Sequence, residues 1–459
     1  MIRSVSCLLL LASCSMDFAR PTSDFEPPPV VRLASSRLVP AAQDPRPVPT
    51  GPNVVMVVVS SWRADELSPW GGDPTSHPYL ASIAGQSRVA QRTVAQTPSD
   101  RASTATILTG KIPASLAMIP DSGAPDERAL PPAAVTLAEH LHKAGWSTIG
   151  VTANPNLNVI WGMDQGFELY FEAPVVPASV ERAAKVTTQE IVAHTLTEVK
   201  SRLDPKRPLY LQIALADTHM PLEPAEASVT PFRGPGIPPR VARYRAALKA
   251  QDSGIEALMR GLKDQGIDAS NTVFVWVGDH GDSLGDGQTG VLGHSEYLNP
   301  DVSFVPWIMH GSGVEVGVRP GLSAHVDVLP TTLTLAGVAV PDGLPGSAKA
   351  PERKLAYVQT TQAPSLRTAA YSDTMMCQVD HDGKATARSG ARLPFTTGCC
   401  AHQTDPTCGR PEWDEDLVEA ARKWPVGQAP DEGIAPVQAA MNPAEQNQLR
   451  AFGAGGTGR

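Results

Sequence analysis

With 459 residues, 42% hydrophobic and 19% charged, the chain can bury a large core, which suits one big domain with a smaller appendage better than a string of modules. A net charge of −9 excludes nucleic acid as the natural partner, because phosphate binding requires a basic footprint. Beyond the N-terminus, no apolar run is long enough to span a bilayer.

The first residues have the order of an export signal. Arg3 supplies a positive start, residues 5–12 a short apolar stretch, and Leu11-Ala12-Ser13-Cys14 resembles a bacterial lipobox, in which the cysteine is lipidated and becomes the first mature residue. An ordinary secretory signal and an uncleaved anchor compete with this reading; the lipobox order favours a lipoprotein with a signal at 1–13. Residues 14–52, rich in Pro and poor in aromatic residues from about residue 18, are expected to be a tether that holds the folded part off the membrane. The expected location is the bacterial cell envelope, lipid-anchored and facing the periplasm or the exterior.

Further along, residues 53–59 (NVVMVVV) form a solid apolar run that ends in Ser60 and Ser61. Apolar residues at helical spacing in 135–145 end at Gly145, a natural helix stop, and 147–152 reads as the next strand. Residues 191–202 and 241–266 are helical candidates. Between them, 209–215 (LYLQIAL) is a second apolar run, followed by Asp217, Thr218 and His219, and 272–277 a third, followed by Gly278, Asp279 and His280. Continuous apolar runs indicate strands buried on both faces, so the alternation predicts an α/β fold with a doubly wound, mostly parallel sheet and helices on both faces. Sites in such folds lie at the carboxyl ends of the strands. Gly278, Asp279 and Gly281 could instead be turn formers, but three apolar runs that each end in Ser, Asp or His favour one shared pocket. Asp282 and Asp286, flanked by glycines, read as turn residues.

Beyond about Gly346 the pattern dissolves into short polar pieces rich in Gly, Pro and Cys. Apart from Cys7 and Cys14 in the signal, all cysteines lie here: Cys377, Cys399, Cys400 and Cys408. An even set in an exported chain predicts two disulfides, with Cys399 and Cys400 each bonded to Cys377 or Cys408; a zinc site using His381 or His402 is the weaker rival. The expected organisation is thus a main domain at 53–345 and a small disulfide-containing subdomain at 346–459.

Six blocks, in order, resemble the sulfatases of the alkaline phosphatase superfamily: 53–65 (NVVMVVVSSWRAD), 97–110 (TPSDRASTATILTG), 148–157 with 166–170, 215–224 (LADTHMPLEP), 277–286 (VGDHGDSLGD), and 294–306 with 325–338. The resemblance implies an alkaline phosphatase-like fold and a divalent cation, usually calcium. That cation is held by acidic residues after the first strand and by an Asp-Asn or Asp-His pair after a late strand. It also implies a nucleophile at the start of a helix ending Leu-Thr-Gly. On this pattern Asp279 and His280 are metal ligands. His219 matches the His that contacts the sulfate, and His294 the group that neutralises the ester oxygens or the leaving group. The substrate would be a sulfate or phosphate ester or a sulfated or phosphorylated glycan. Asn154 falls in a block whose Asn-Pro geometry shapes the pocket rim, or is a plain turn. Residues 442–452 resemble a closing C-terminal helix, and Lys111 reads as a residue that complements the dipole of the preceding helix.

Two defining positions depart from the family. Ser60, with Ser61 beside it, stands where the family has a metal-binding Asp, and Asp100 occupies the nucleophile position counted back from Gly110. No Cys lies between Cys14 and Cys377, which excludes formylglycine made from Cys; Ser99 or Ser103 would reach the nucleophile position only by a register slip. The family's Arg four residues on falls on Thr104. Three readings follow. Hydrolysis is weak or lost, leaving a pseudoenzyme or non-catalytic glycan binder. Alternatively, Ser60 and Asp100 have exchanged roles, so that Asp100, Asp279 and His280 hold metal while Ser60 attacks. In the third, Asp100 attacks as a carboxylate. The first is the leading expectation because it follows directly from the two altered positions.

Overall fold

In the computed structural model, which describes residues 46–119, 128–172, 185–286, 292–294, 298–349, 353–360, 366–381, 398–400, 414–424 and 430–452, the apolar run Asn53–Val59 (β1) is the axis of a nine-stranded sheet. The other strands are Arg88–Val94 (β2), Ser147–Thr152 (β3), Leu169–Phe171 (β4), Leu209–Leu215 (β5), Thr272–Gly278 (β6), Phe304–Val305 (β7), Trp307–Gly311 (β8) and Gly317–Ala324 (β9). Their order is β7-β2-β8-β6-β1-β5-β3-β4, with β9 paired to β2. Pairings from β6 through β4 are parallel, whereas β8 runs antiparallel to β6 and β2.

Alternation along β1 explains why the sheet needs cover on both sides. Val54, Met56 and Val58 enter one core with the helices Asp100–Thr109 (α1), Leu137–Ala144 (α2) and Val328–Ala336 (α3), while Val55, Val57 and Val59 enter another with Thr188–Arg202 (α4) and Pro239–Lys263 (α5). Side chains of opposite parity point to opposite faces, so only a continuous apolar run fills both layers. The predicted helix at 135–145 forms as α2, with a Thr136–Glu139 capping box at its start and Gly145 at φ 106° closing it.

Register places the three strand ends in one row. Val59 is paired with Leu215 on one side and Gly278 on the other, so Ser60, Ala216 and Asp279 emerge side by side at the carboxyl edge. The three apolar runs therefore converge as the sequence predicts.

The region after 346 departs from its sequence reading. Four short antiparallel strands, Ala356–Gln359 (β10), Arg367–Tyr371 (β11), Met376–Asp380 (β12) and Gly398–Cys400 (β13), form a second sheet, backed by the helix Glu415–Lys423 (α6). These strands are too short, and too interrupted by turn residues, to give a two-residue period in the sequence. The cysteines lie on this sheet rather than replacing it: Cys377 and Cys399 are opposite one another on β12 and β13 and form a disulfide. That bond takes two thiols from the rival zinc reading, and His381 Nε2 lies 3.1 Å from Thr368 Oγ1. Cys408, His402, the signal, Cys14 and most of the tether lie outside the described residues. Among the described residues, no helix is long and apolar enough to cross a membrane.

Candidate metal and ester site

Ser60 leaves β1, and Ser61 follows at φ 55°, a left-handed conformation uncommon outside glycine, which turns the chain sharply away from the sheet. Its N–H donates to Asp279 Oδ1 at 3.0 Å, so the bend is tied to the neighbouring strand end. Asp279 Oδ1 also accepts the N–H of His280 at 2.6 Å. At Gly281 a β-carbon would lie 2.0 Å from the carbonyl oxygen of Asp301, so only glycine lets the loop pass there.

Asp100 is the first residue of α1, where the helix dipole favours a carboxylate whatever its function. Its side chain nevertheless turns into the pocket. Asp100 Oδ1 accepts from Ser60 Oγ at 2.5 Å and from Asn154 Nδ2 at 2.6 Å, while Asp279 Oδ2 lies 3.0 Å from the same Ser60 oxygen. Asp100 Oδ2 lies 3.6 Å from both His219 Nε2 and His280 Nε2, and His280 Nε2 is 3.6 Å from Asp279 Oδ1. His294 completes the cluster, its ring stacked on His280 with centroids 4.1 Å apart and 5.2 Å from that of His219. Ser60, Asp100, His219, Asp279, His280 and His294 are thus gathered around one centre. α1 starts at Asp100 without a register slip: Ser103 faces elsewhere, its hydroxyl on the Asp279 carbonyl and 3.0 Å from His325 Nδ1.

The electrostatics follow from burying two carboxylates together. Burial opposes the charge of Asp100, but His219 and His280 outweigh it and hold this carboxyl well below the usual range. Burial, with the charge of Asp100 added, pushes Asp279 up to about 7 against the pull of His280. Burial disfavours a charged His280, yet Asp279 and Asp100 raise it to about 10. Burial lowers His219 despite Asp100, and lowers His294 further because His280 and His219 repel a third positive ring. In the absence of another cation, the proton on His280 is therefore the counter-charge of the carboxylate pair.

Asp100, Asp279 and His280 offer ligand atoms within 4.8 Å of one another, all buried. His280 Nε2 is buried with no hydrogen-bond partner, a position that normally signals a missing group. Two carboxylates, one imidazole and the Ser60 hydroxyl are the donors a divalent cation takes, and binding would displace the His280 proton. The residues present fit a metal.

The reading of several neighbours needs correction or completion. Asn154 satisfies both alternatives: its Oδ1 accepts from the N–H of Asn156 in a turn, while its Nδ2 reaches Asp100 and Ser60. Asp286 is not merely a turn former but pairs with Arg63 at 2.9 Å. Asp282 is wholly buried, and both its carboxylate oxygens are without a hydrogen-bond partner. Lys111 pairs with Asp431 on a segment far along the chain, a contact that dipole reasoning could not anticipate.

Three contributors have no local signal of their role, although His325 heads the 325–338 block. His325 Nε2 donates to the Gly278 carbonyl at 2.8 Å, bracing the last residue of β6. Lys185 donates to the carbonyls of Ala216 and His219. Phe452, just after the helix Pro443–Ala451 (α7), stacks on the His219 ring with centroids 4.4 Å apart, and Lys185 Nζ lies 5.2 Å from its ring centre. The closing-helix reading of 442–452 pointed to this end of the chain, but not to its partner.

A doubly wound α/β sheet with carboxylates, imidazoles and a hydroxyl at its carboxyl edge is the class of fold used for metal-assisted ester chemistry. The sulfatase family profile matches residues 52–338, more than half of the chain, and the chain belongs to the sulfatase family. An ulvan-active sulfatase of Formosa agariphila is 24% identical over 344 residues, 65% of this chain and 64% of the relative. Lipoteichoic acid synthase 1 of Bacillus subtilis is 24% identical over 189 residues, 39% of this chain and 29% of that protein. The chain thus spans less than two thirds of the length of either relative. Among solved structures, one described as a complex with its substrate D-glucosamine-2-N,6-O-disulfate superposes with a TM-score of 0.66 at 13% identity, covering 88% of this chain and 99% of the other. Sulfatase-family members are metal-dependent, in agreement with the donor set described above.

Proposed function

We propose that this chain is a metal-dependent hydrolase of sulfate or phosphate esters in which Ser60 and Asp100 have exchanged the roles that the family gives to these two positions. The observation that carries the reading is the contact of Asp100 with Ser60 at 2.5 Å while its other oxygen faces His219 and His280. The carboxylate lost after β1 is replaced by one from the start of α1, so the loss of hydrolysis expected from two altered positions does not follow.

In this reading Asp100, Asp279 and His280 hold the cation, which, when bound, supplies positive charge to the ester oxygens and favours an ionised Ser60 oxygen. Ser60 is the attacking group: its Oγ bonds to the sulfur or phosphorus as the bond to the alcohol oxygen breaks, the alcohol leaves with a proton, and water then cleaves the seryl ester to release sulfate or phosphate. Asp100 or Asp279 accepts the serine proton, both lying within hydrogen-bond reach. Asn154 holds Asp100 Oδ1 toward the serine. The substrate named for the similar solved structure, a sulfated sugar, supports a sulfated glycan as ligand, and the similarity to a lipoteichoic acid synthase keeps phosphate esters in the same proposal.

A second reading is supported by the closure of the pocket. With Phe452 over His219 and the cation-binding residues buried, the site suits a protein that would hold an anion on its bound cation without turnover. The test is turnover of aryl sulfates and aryl phosphates by the purified protein supplied with calcium, magnesium, manganese or zinc. The exchange predicts that Ser60→Ala abolishes turnover but retains metal, whereas Asp100→Ala loses both. Metal binding without turnover in the unaltered protein would turn the assignment to the binding reading.

The Leu11–Cys14 order further supports an envelope lipoprotein. Fatty-acid labelling that is lost in Cys14→Ser checks it.

A further inference from the structure

The serine at the end of β1 opens a strained turn. Ser60 still belongs to the ladder, its N–H on the Leu215 carbonyl at 2.9 Å, but the next residue, Ser61, lies at φ 55°. A residue other than glycine keeps that left-handed conformation only where its surroundings enforce it. The Ser61 side chain does not, because its buried hydroxyl has no hydrogen-bond partner. The turn is therefore held from outside.

Two side chains remote in sequence hold it. Thr218 Oγ1, on the loop after β5, donates to the Ser60 carbonyl at 2.7 Å across 158 residues of chain. Tyr244, on α5, donates its hydroxyl to the Ser61 carbonyl at 2.8 Å across 183 residues, and the same oxygen accepts the N–H of Arg63 at 2.9 Å. Both side chains are wholly buried. With Asp279 Oδ1 on the Ser61 N–H, every backbone N–H and carbonyl of Ser60 and Ser61 has a fixed partner. We propose that Thr218 and Tyr244 are positioning residues for the reaction, aiming Ser60 Oγ by locking the turn that carries it. The inference rests on the attack by Ser60 described above and names the groups that direct it.

The physical basis is geometric. The planar peptide groups on either side of a Cα atom set the direction of its Cβ, so pinning the N–H and the carbonyl of Ser60 fixes where its side chain leaves the backbone. Oγ then falls between Asp100 Oδ1 at 2.5 Å and Asp279 Oδ2 at 3.0 Å, with Asn154 Nδ2 at 3.1 Å. Those contacts change once a carboxylate takes the serine proton and Oγ bonds to the ester, whereas contacts on the backbone persist through the step. Among the described residues, the Thr218 and Tyr244 hydroxyls bond only to backbone groups of this turn. They therefore act on the direction of attack and not on the side chains that hold the cation. A misplacement of about 1 Å in a reacting atom can cost about a hundredfold in rate.

The test is steady-state turnover of an aryl sulfate and an aryl phosphate at saturating metal, with metal content measured by elemental analysis. Tyr244→Phe and Thr218→Val, which remove one oxygen each and keep the shape of the side chain, should lower kcat by about tenfold to a hundredfold and leave KM and metal content unchanged. Thr218→Ser, which keeps the hydroxyl, should restore kcat to within about threefold. Circular dichroism establishes that each variant is folded, and Thr218→Ala replaces the valine variant if that is not. Loss of the Cys377–Cys399 disulfide by paired Ser substitution lowers stability away from the turn and serves as the control, with kcat expected to hold. A kcat in Tyr244→Phe and Thr218→Val within twofold of the unaltered protein would overturn the positioning role and leave the proposed function intact. A loss as large in Thr218→Ser as in Thr218→Val, or one that follows metal content, would overturn it as well. No turnover in the unaltered protein, or full turnover in Ser60→Ala, would overturn both.

Discussion

The carboxyl edge of the large sheet and the small C-terminal sheet solve opposite problems. At the edge, two carboxylates and two imidazoles are buried together with the half-buried His294 beside them, and His219 Nε2, His280 Nε2 and both oxygens of Asp282 have no hydrogen-bond partner. In the small sheet, short strands gain cohesion from their antiparallel ladder and from the Cys377–Cys399 disulfide. Unpaired buried polar atoms destabilise a fold, so imidazole nitrogens left unpaired within a cluster of ligand atoms mark a place where something other than stability is served. Chemistry and stability should therefore be separable by mutation.

The largest expected effect is at the edge. Asp100→Ala removes the carboxylate that touches Ser60, His219 and His280, and turnover should fall by at least about a thousandfold together with metal content, read by steady-state kinetics and elemental analysis. Near-normal turnover would show that the contrast between the two regions has been drawn in the wrong place.

In the small sheet, replacing Cys377 and Cys399 by Ser opens a loop with a sequence separation of 22 and should cost about 3 kcal/mol in urea unfolding. Metal affinity of the folded fraction should not change; a fall in affinity would mean that the sheet holds the site and does not merely abut it.

Acid tests the edge from another direction. Burial depresses His325 from 6.5 to about 3 in the folded state, where it braces the Gly278 carbonyl. Because the folded pKa lies below the unfolded one, the neutral ring contributes stability that is fully present above about 6.5 and is lost as pH falls toward 3. That loss is about 2 kcal/mol at pH 5. Unfolding midpoints measured between pH 8 and 4 should decline, and His325→Gln should flatten the curve; an unchanged slope in the variant would assign the acid sensitivity elsewhere.

Smaller effects come from groups that position others. Asn154→Ala frees Asp100 Oδ1 and should weaken metal binding by about tenfold, the lower end for an outer partner of a ligand. Phe452→Ala uncovers His219 and should alter KM more than kcat, since Phe452 lies over the ring and has no reacting atom.

The sequence reading stops short in an instructive place. Ser60 and Asp100 each break the family pattern when taken singly, and two breaks suggested lost chemistry. Their side chains meet across 40 residues of chain, the contact on which the proposed exchange of roles rests. The sequence is also silent after 346, where strands of three to five residues carry too little periodicity to be seen. Phe452 and Lys185 could not have been found by any local rule, because an aromatic near a chain end and a lone lysine have many ordinary explanations.

What the sequence determined by itself is the sheet and the location of its chemistry. Apolar runs at 53–59, 209–215 and 272–277 have to be buried on both faces, and the polar residues that end them have to gather at one edge. Only the tertiary structure decided which atoms meet there. The row Val59, Leu215 and Gly278 sets Ser60 beside Asp279, and the start of α1 swings Asp100 between them, with Oδ2 turned to two histidines. The physical reason is range: hydrophobic periodicity is encoded by neighbours along the chain, whereas a ligand set is fixed by strand register and helix docking between residues up to 219 positions apart.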